Sequence, residues 1–164
     1  MWDSISAFAQ RALAVSAVAA AVALFAFLEG CRTFAPGERD VRGWRRSVVK
    51  MEVTGYDSGP RSCNWKRNWY GRPVVASGPN KGKPKAVGVT ASGKRAKRGT
   101  IAADRRFYPF GTVMYVPGYG WGVVEDTGGA IKGPDRLDLW FSTEREALKW
   151  GRRKNVPVTV WTKP

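Results

Sequence analysis

The chain contains no histidine. That removes the side chain whose unperturbed pKa lies nearest neutrality and the commonest protein ligand for metals. Cysteine is almost as scarce: Cys31 and Cys63 are the two present, too few for a cysteine-built zinc or iron–sulfur centre. Acids are few as well. Thirteen Asp and Glu stand against 28 Lys and Arg, a formal net charge of +15 over 164 residues. Such a balance carries no information about fold but favours polyanionic partners. With imidazole absent and thiols scarce, chemistry falls to carboxylates, hydroxyls, lysine, tyrosine or the backbone, and no cofactor is expected. What the chain does have is apolar content of 43%, enough for a packed core.

Charge is also missing from Ala12 to Leu28, ALAVSAVAAAVALFAFL, between Arg11 and Glu29. Seventeen uncharged residues fall between a signal-peptide core and a full membrane span. An apolar helix is expected, serving as an export signal or a membrane anchor. Leu28-Glu29-Gly30-Cys31 resembles a bacterial lipobox, with Glu29 where that pattern prefers a small or aliphatic residue. Lipidation of Cys31, an uncleaved anchor and simple cleavage are all open. Residues 1–31 are therefore read as signal peptide or anchor, 32–47 as a charged linker, and 48–164 as the folded domain.

The domain begins with a partly alternating strand, Val48 to Tyr56, closed by the turn cluster Asp57-Ser58-Gly59-Pro60. A basic, aromatic, turn-rich stretch from Arg61 to Lys85 reads as a long loop. Its Trp65, Trp69 and Tyr70 are placed either to stack on sugars or bases or to cap one end of a barrel. Strand candidates follow at Ala86–Thr90, Gly99–Ala103, Thr112–Pro117, Gly122–Glu125, Arg136–Phe141 and Val156–Trp161. A short helix opens at Ser142-Thr143-Glu144 and closes at Gly151. Many short strands and one helix indicate an all-β barrel. Lys81, Lys83, Lys85, Lys94, Arg95, Lys97 and Arg98 fall within eighteen positions, as a solvated face or as an attachment site for anionic envelope polymers.

Three acids stand out. Asp104 ends the strand Thr100-Ile-Ala-Ala, Asp126 precedes Thr127-Gly128-Gly129, and Asp138 interrupts Arg136-Leu-Asp-Leu-Trp-Phe141. Gly128-Gly129 allow positive φ and close backbone approach to a ligand. Asp138, flanked by leucines, points either to solvent or into a cleft.

These residues belong to a longer series: Thr100-Ile-Ala-Ala-Asp104, Tyr108-Pro-Phe-Gly-Thr112, Tyr115-Val-Pro-Gly-Tyr-Gly120, Val124-Glu-Asp-Thr-Gly-Gly-Ala-Ile-Lys-Gly133, Leu137-Asp-Leu139 and Ala147-Leu-Lys-Trp-Gly-Arg152. In this order they resemble the bacterial three-aspartate (3D) domain, related to the catalytic barrel of membrane-bound lytic transglycosylase A. The resemblance covers roughly Gly88 to Trp161. It implies a six-stranded double-psi β-barrel, here with an N-terminal hydrophobic helix, and cleavage of peptidoglycan glycan strands. It places the three aspartates on Asp104, Asp126 and Asp138, with Asp138 as the acid/base. Asp135 is read as an exposed decoy in a turn one residue longer than the family's. Thr112, Tyr119, Lys132 and Gly128 are candidate groove residues.

Catalysis of this kind sets a physical condition. An unperturbed aspartate is protonated to about one part in a thousand at pH 7. Raising its pKa to ~6 takes about 2.9 kcal/mol in favour of the neutral form. Desolvation by Leu137, Leu139 or Trp140, and repulsion from Asp126 and Asp104, are the expected sources. The competing reading is a non-catalytic module that binds or loosens wall glycan on the same barrel. Nucleic-acid binding, suggested by charge and aromatics, is disfavoured by the leader and by the lack of a recognisable motif. The expected location is the cell envelope, exported and membrane-anchored, with peptidoglycan as partner.

Overall fold

A computed structural model describes residues 41–164. The expected leader helix and the lipobox-like Cys31 lie outside the described residues. Strand β1 spans Arg45–Tyr56, a helical turn α1 Pro60–Cys63, and two short strands follow, β2 Trp65–Arg67 and β3 Pro73–Val75. Then come β4 Thr100–Ala103, β5 Val113–Val116, β6 Gly120–Asp126, β7 Arg136–Trp140, helix α2 Glu144–Trp150 and β8 Arg153–Thr162. Six strands close a barrel in the order β1-β7-β4-β6-β5-β8. Two neighbouring pairs, β1–β7 and β4–β6, are parallel, and the other four are antiparallel. Closure removes every free edge from the six strands.

Alternation decides which side chains fill the barrel. Met51 and Val53 of β1, Ile101 and Ala103 of β4, Val124 of β6, Leu137 and Leu139 of β7, and Val158 and Val160 of β8 are buried together. Helix α2 is capped by Thr143, whose side chain accepts from the Glu146 amide. It lays Ala147 and Trp150 onto the same core. The helix approaches β1 so closely at Gly55 that a Cβ there would lie 2.9 Å from Phe141 and 3.0 Å from the Ala147 carbonyl oxygen. Glycine is needed at this position for space.

Three parts of the sequence reading change. Strand β1 starts at Arg45, three residues before Val48, because Arg45 to Ser47 pair with Val160 to Thr162 of β8. Ala86–Thr90 forms no strand. Gly88 has φ +74°, and the Thr90 hydroxyl donates to the Lys94 carbonyl and accepts from its amide, holding a turn; Val89 makes a single bridge to Arg95. The Arg61–Lys85 stretch is more ordered than a loop: β2 and β3 form a hairpin, and Lys83 and Lys85 hydrogen-bond alongside β3.

Candidate functional site

The site is built from the middle of the barrel wall. Strand β4 lies between β6 and β7, and Ala102 is register partner to Asp126 on one side and to Asp138 on the other. Neighbouring strands lie roughly 4.8 Å apart, so the two aspartates start about 10 Å apart across a strand whose side chain is one methyl group. The small Ala102 leaves the space between them open. A cleft of about 500 Å³ sits over this floor, lined among others by Tyr56, Ala102, Asp126, Gly128 and Asp138.

Each acid is held differently. Asp138 accepts a 2.9 Å hydrogen bond from the Thr54 hydroxyl, its register partner on the parallel strand β1. Burial pushes its carboxyl up to about 6, with the nearby Asp126 charge adding to the rise; the Thr54 hydroxyl, the Leu139 amide and Arg152 oppose it. Leu137 and Leu139 flank Asp138 along β7, and Leu137 lines a hollow with it. Period-two alternation sends both into the barrel core, on the face opposite Asp138.

Asp126 is fixed by three donors: the Tyr56 hydroxyl at 2.8 Å and the Ala91 and Thr127 amides at 2.9 Å. Burial, then the charge of Asp126, pushes the Tyr56 phenol far above its usual range, so Tyr56 remains a neutral donor. Asp126 thus presents a positioned negative charge, and Asp138 a carboxyl able to carry a proton near neutrality.

Asp104 is not brought to this cleft. Its carboxylate binds the Arg106 guanidinium at 2.6 Å and the Gly133 amide at 3.0 Å. Those bonds, the arginine's first, hold it well below the usual carboxylate range. It ties the end of β4 to the turn before β7. Thr112 and Tyr119 also lie away from the cleft lining. The Thr112 hydroxyl donates to the Pro109 carbonyl. The Tyr119 hydroxyl accepts from the Gly99 amide and donates to the Trp140 carbonyl, inside the core. Lys132 and Asp135 are exposed. Gly128 does line the cleft, but for a different reason than expected: its φ is not positive, and a Cβ there would meet Ile131 at 2.7 Å.

Thr54 and Tyr56, absent from the expected site, come from β1, 84 and 70 residues before their partners. The thiol of Cys63 also lines the cleft and donates to the Asp57 carbonyl; burial raises its pKa. Trp69 and Tyr70 neither cap the barrel nor face the cleft lining. They project from the β2–β3 turn, 83% and 66% exposed. Among the described residues no group of three or more His, Cys, Asp or Glu side chains converges as a metal site.

Residues 99–162 match the family model for the 3D domain. The match to the 3D domain is confined to that segment, less than half of the chain. That segment holds β4 to β8 and α2, hence Asp104, Asp126 and Asp138, while β1 closes the barrel from outside it and brings Thr54 and Tyr56. The cell wall-binding protein YocH of Bacillus subtilis (strain 168) is 42% identical over 77 residues, 44% of this chain. The match spans only 26% of that relative's length. Among solved structures, MltA from E. coli aligns over 50% of this chain and 30% of its own at 26% identity and TM-score 0.38. The E. coli MltA complex with bound chitohexaose aligns over the same shares at 25% identity and TM-score 0.39.

Proposed function

We propose that the barrel domain cleaves the glycan strands of peptidoglycan by a lytic transglycosylase reaction, with Asp138 as the one acid/base. The observation that carries this reading is a carboxyl pushed up to about 6 on the floor of an open cleft. At pH 7 such a group is protonated in roughly one molecule in ten, about a hundredfold more than an ordinary aspartate. It donates its proton to the glycosidic oxygen as the C1–O bond breaks. The resulting carboxylate then takes the proton of the muramoyl 6-hydroxyl as that oxygen bonds to C1, leaving a 1,6-anhydro sugar and a restored acid. One carboxyl serves both steps, where most glycosidases divide them between two. Asp126, anchored by Tyr56, stabilises positive charge developing at the anomeric carbon and by repulsion adds to the protonated fraction of Asp138.

A second reading keeps the cleft as a wall-binding groove without cleavage. Two things favour it: the printed name of YocH, a cell wall-binding protein, and a cationic insert. From Pro60 to Ala103 the sequence has eleven Lys and Arg and no acid, a stretch suited to anionic envelope polymers through screened, salt-sensitive attraction. Both readings place the domain in the cell envelope. To separate them, purified sacculi are incubated with the full chain and with Asp138→Asn. Cleavage predicts soluble fragments from the parent alone and equal pelleting of both proteins with sacculi. Binding without release by either protein would leave only the second reading.

A further inference from the structure

Asp138 faces two hollows. Besides the cleft that contains Asp126, a second space of about 400 Å³ opens on its other side, lined by Thr54, Arg136, Asp138, Leu148 and Arg152 among others. The two differ in charge. On the Asp126 side two carboxyls meet one lysine, Lys85, at the lining. On the other side Arg136 and Arg152 both bind the same oxygen of Glu52, so two arginines meet two carboxyls, Glu52 and the shared Asp138, at the lining. Arg136 also donates to the Ala130 carbonyl. Arg152 is more than half exposed; its Glu52 bond uses one of five guanidinium N–H groups. Leu148, 71% exposed, adds an apolar edge.

We propose that this second hollow is a subsite for the carboxylate-bearing branch of a substituted glycan, with Arg152, supported by Arg136, taking the carboxylate in charge-assisted hydrogen bonds. The inference deepens the cleavage reading and rests on it. A glycan laid across Asp138 places acid-substituted sugars in one of two environments. The acidic one repels such a group, and the arginine-lined one attracts it. Binding there has a consequence for the reaction. Arg152 opposes protonation of Asp138, so an arriving carboxylate that neutralises it favours the protonated acid. Acid-substituted glycan then both binds and prepares the cleavage step.

The test compares two soluble glycan probes of equal length, one with free branch carboxylates and one with those carboxylates amidated. Binding is read by calorimetry on full-length Asp138→Asn, so that the result stands apart from cleavage. The free-acid probe is expected to bind at least tenfold more tightly. Adding Arg152→Gln should bring the ratio close to one. Adding Glu52→Gln, which removes the competing charge, should widen it. A purely structural Glu52, Arg136 and Arg152 cluster would lose the same amount of affinity for both probes in either variant. Equal affinities for the two probes, or a ratio moved in the same direction by both substitutions, would overturn the proposal.

Discussion

Replacing Asp138 by Asn tests the physical condition for catalysis without any substrate. A carboxyl whose pKa stands at about 6 in the fold, against about 3.9 in the unfolded chain, is harder to ionise folded than unfolded. Its contribution therefore has a definite sign. Below the unfolded value both states are protonated and nothing is lost. As pH rises from ~4 through 6 the unfolded state gives up its proton first, and the native state loses about 3 kcal/mol of relative stability. Asparagine has no proton to lose. It keeps an oxygen for the Thr54 hydroxyl, and imperfect replacement of the remaining bonding costs on the order of 1 kcal/mol. The Asn chain should thus be close to the parent or slightly weaker at pH 4, and more stable by about 2 kcal/mol at pH 8. Urea unfolding of both proteins at a series of pH values reads the difference directly, because every other titrating group is common to the two. A stability difference independent of pH, or an Asn variant weaker at pH 8, would refute the argument that Asp138 is desolvated.

Three further substitutions address the neighbours. Thr54→Val removes the hydroxyl that favours the ionised form, so the Asp138 pKa, followed by carboxyl NMR, should rise above that of the parent; an unchanged or lower value counts against the assigned hydrogen bond. Tyr56→Phe takes one donor from Asp126 and should cost roughly 1–2 kcal/mol in urea unfolding, with slower release of fragments from sacculi; full stability and full release would show that Tyr56 does not position Asp126. Asp104→Asn should weaken the fold at neutral pH by loosening its ties to Arg106 and Gly133. Because the Asp104 pKa is depressed, that contribution is present above the unfolded value and is lost as pH falls through the folded one, so the two proteins should converge in strong acid. A deficit that persists at the lowest pH would argue against the charge being responsible.

Much of the barrel could be read from local pattern. Leu137 and Leu139 alternate with Arg136, Asp138 and Trp140, and that parity both buries β7 and turns Asp138 to the opposite face. Thr143 three residues ahead of Glu146 announces the start of α2. Local pattern fails where the answer depends on register between distant strands. Nothing in Val48–Tyr56 shows that Thr54 pairs with Asp138, eighty-four residues later, or that the Tyr56 hydroxyl reaches Asp126. Ala102 reads as an ordinary strand alanine until the order β7-β4-β6 sets it between two acids. Asp104 carries the same strand-end signature as Asp126, but Arg106 lies two residues away and captures its carboxylate. Ala86–Thr90 has strand-like valines, yet Gly88 and the Thr90 hydroxyl turn the chain there.

In the proposed reaction a single protonatable aspartate, Asp138, cuts glycan without water. Mass analysis of fragments released from purified sacculi tests it most directly. Fragments ending in 1,6-anhydro sugars are expected from the parent chain, fastest near pH 6 and below, and none from Asp138→Asn. Fragments with ordinary reducing ends, or no fragments from the parent at any pH between 4 and 8, would contradict it.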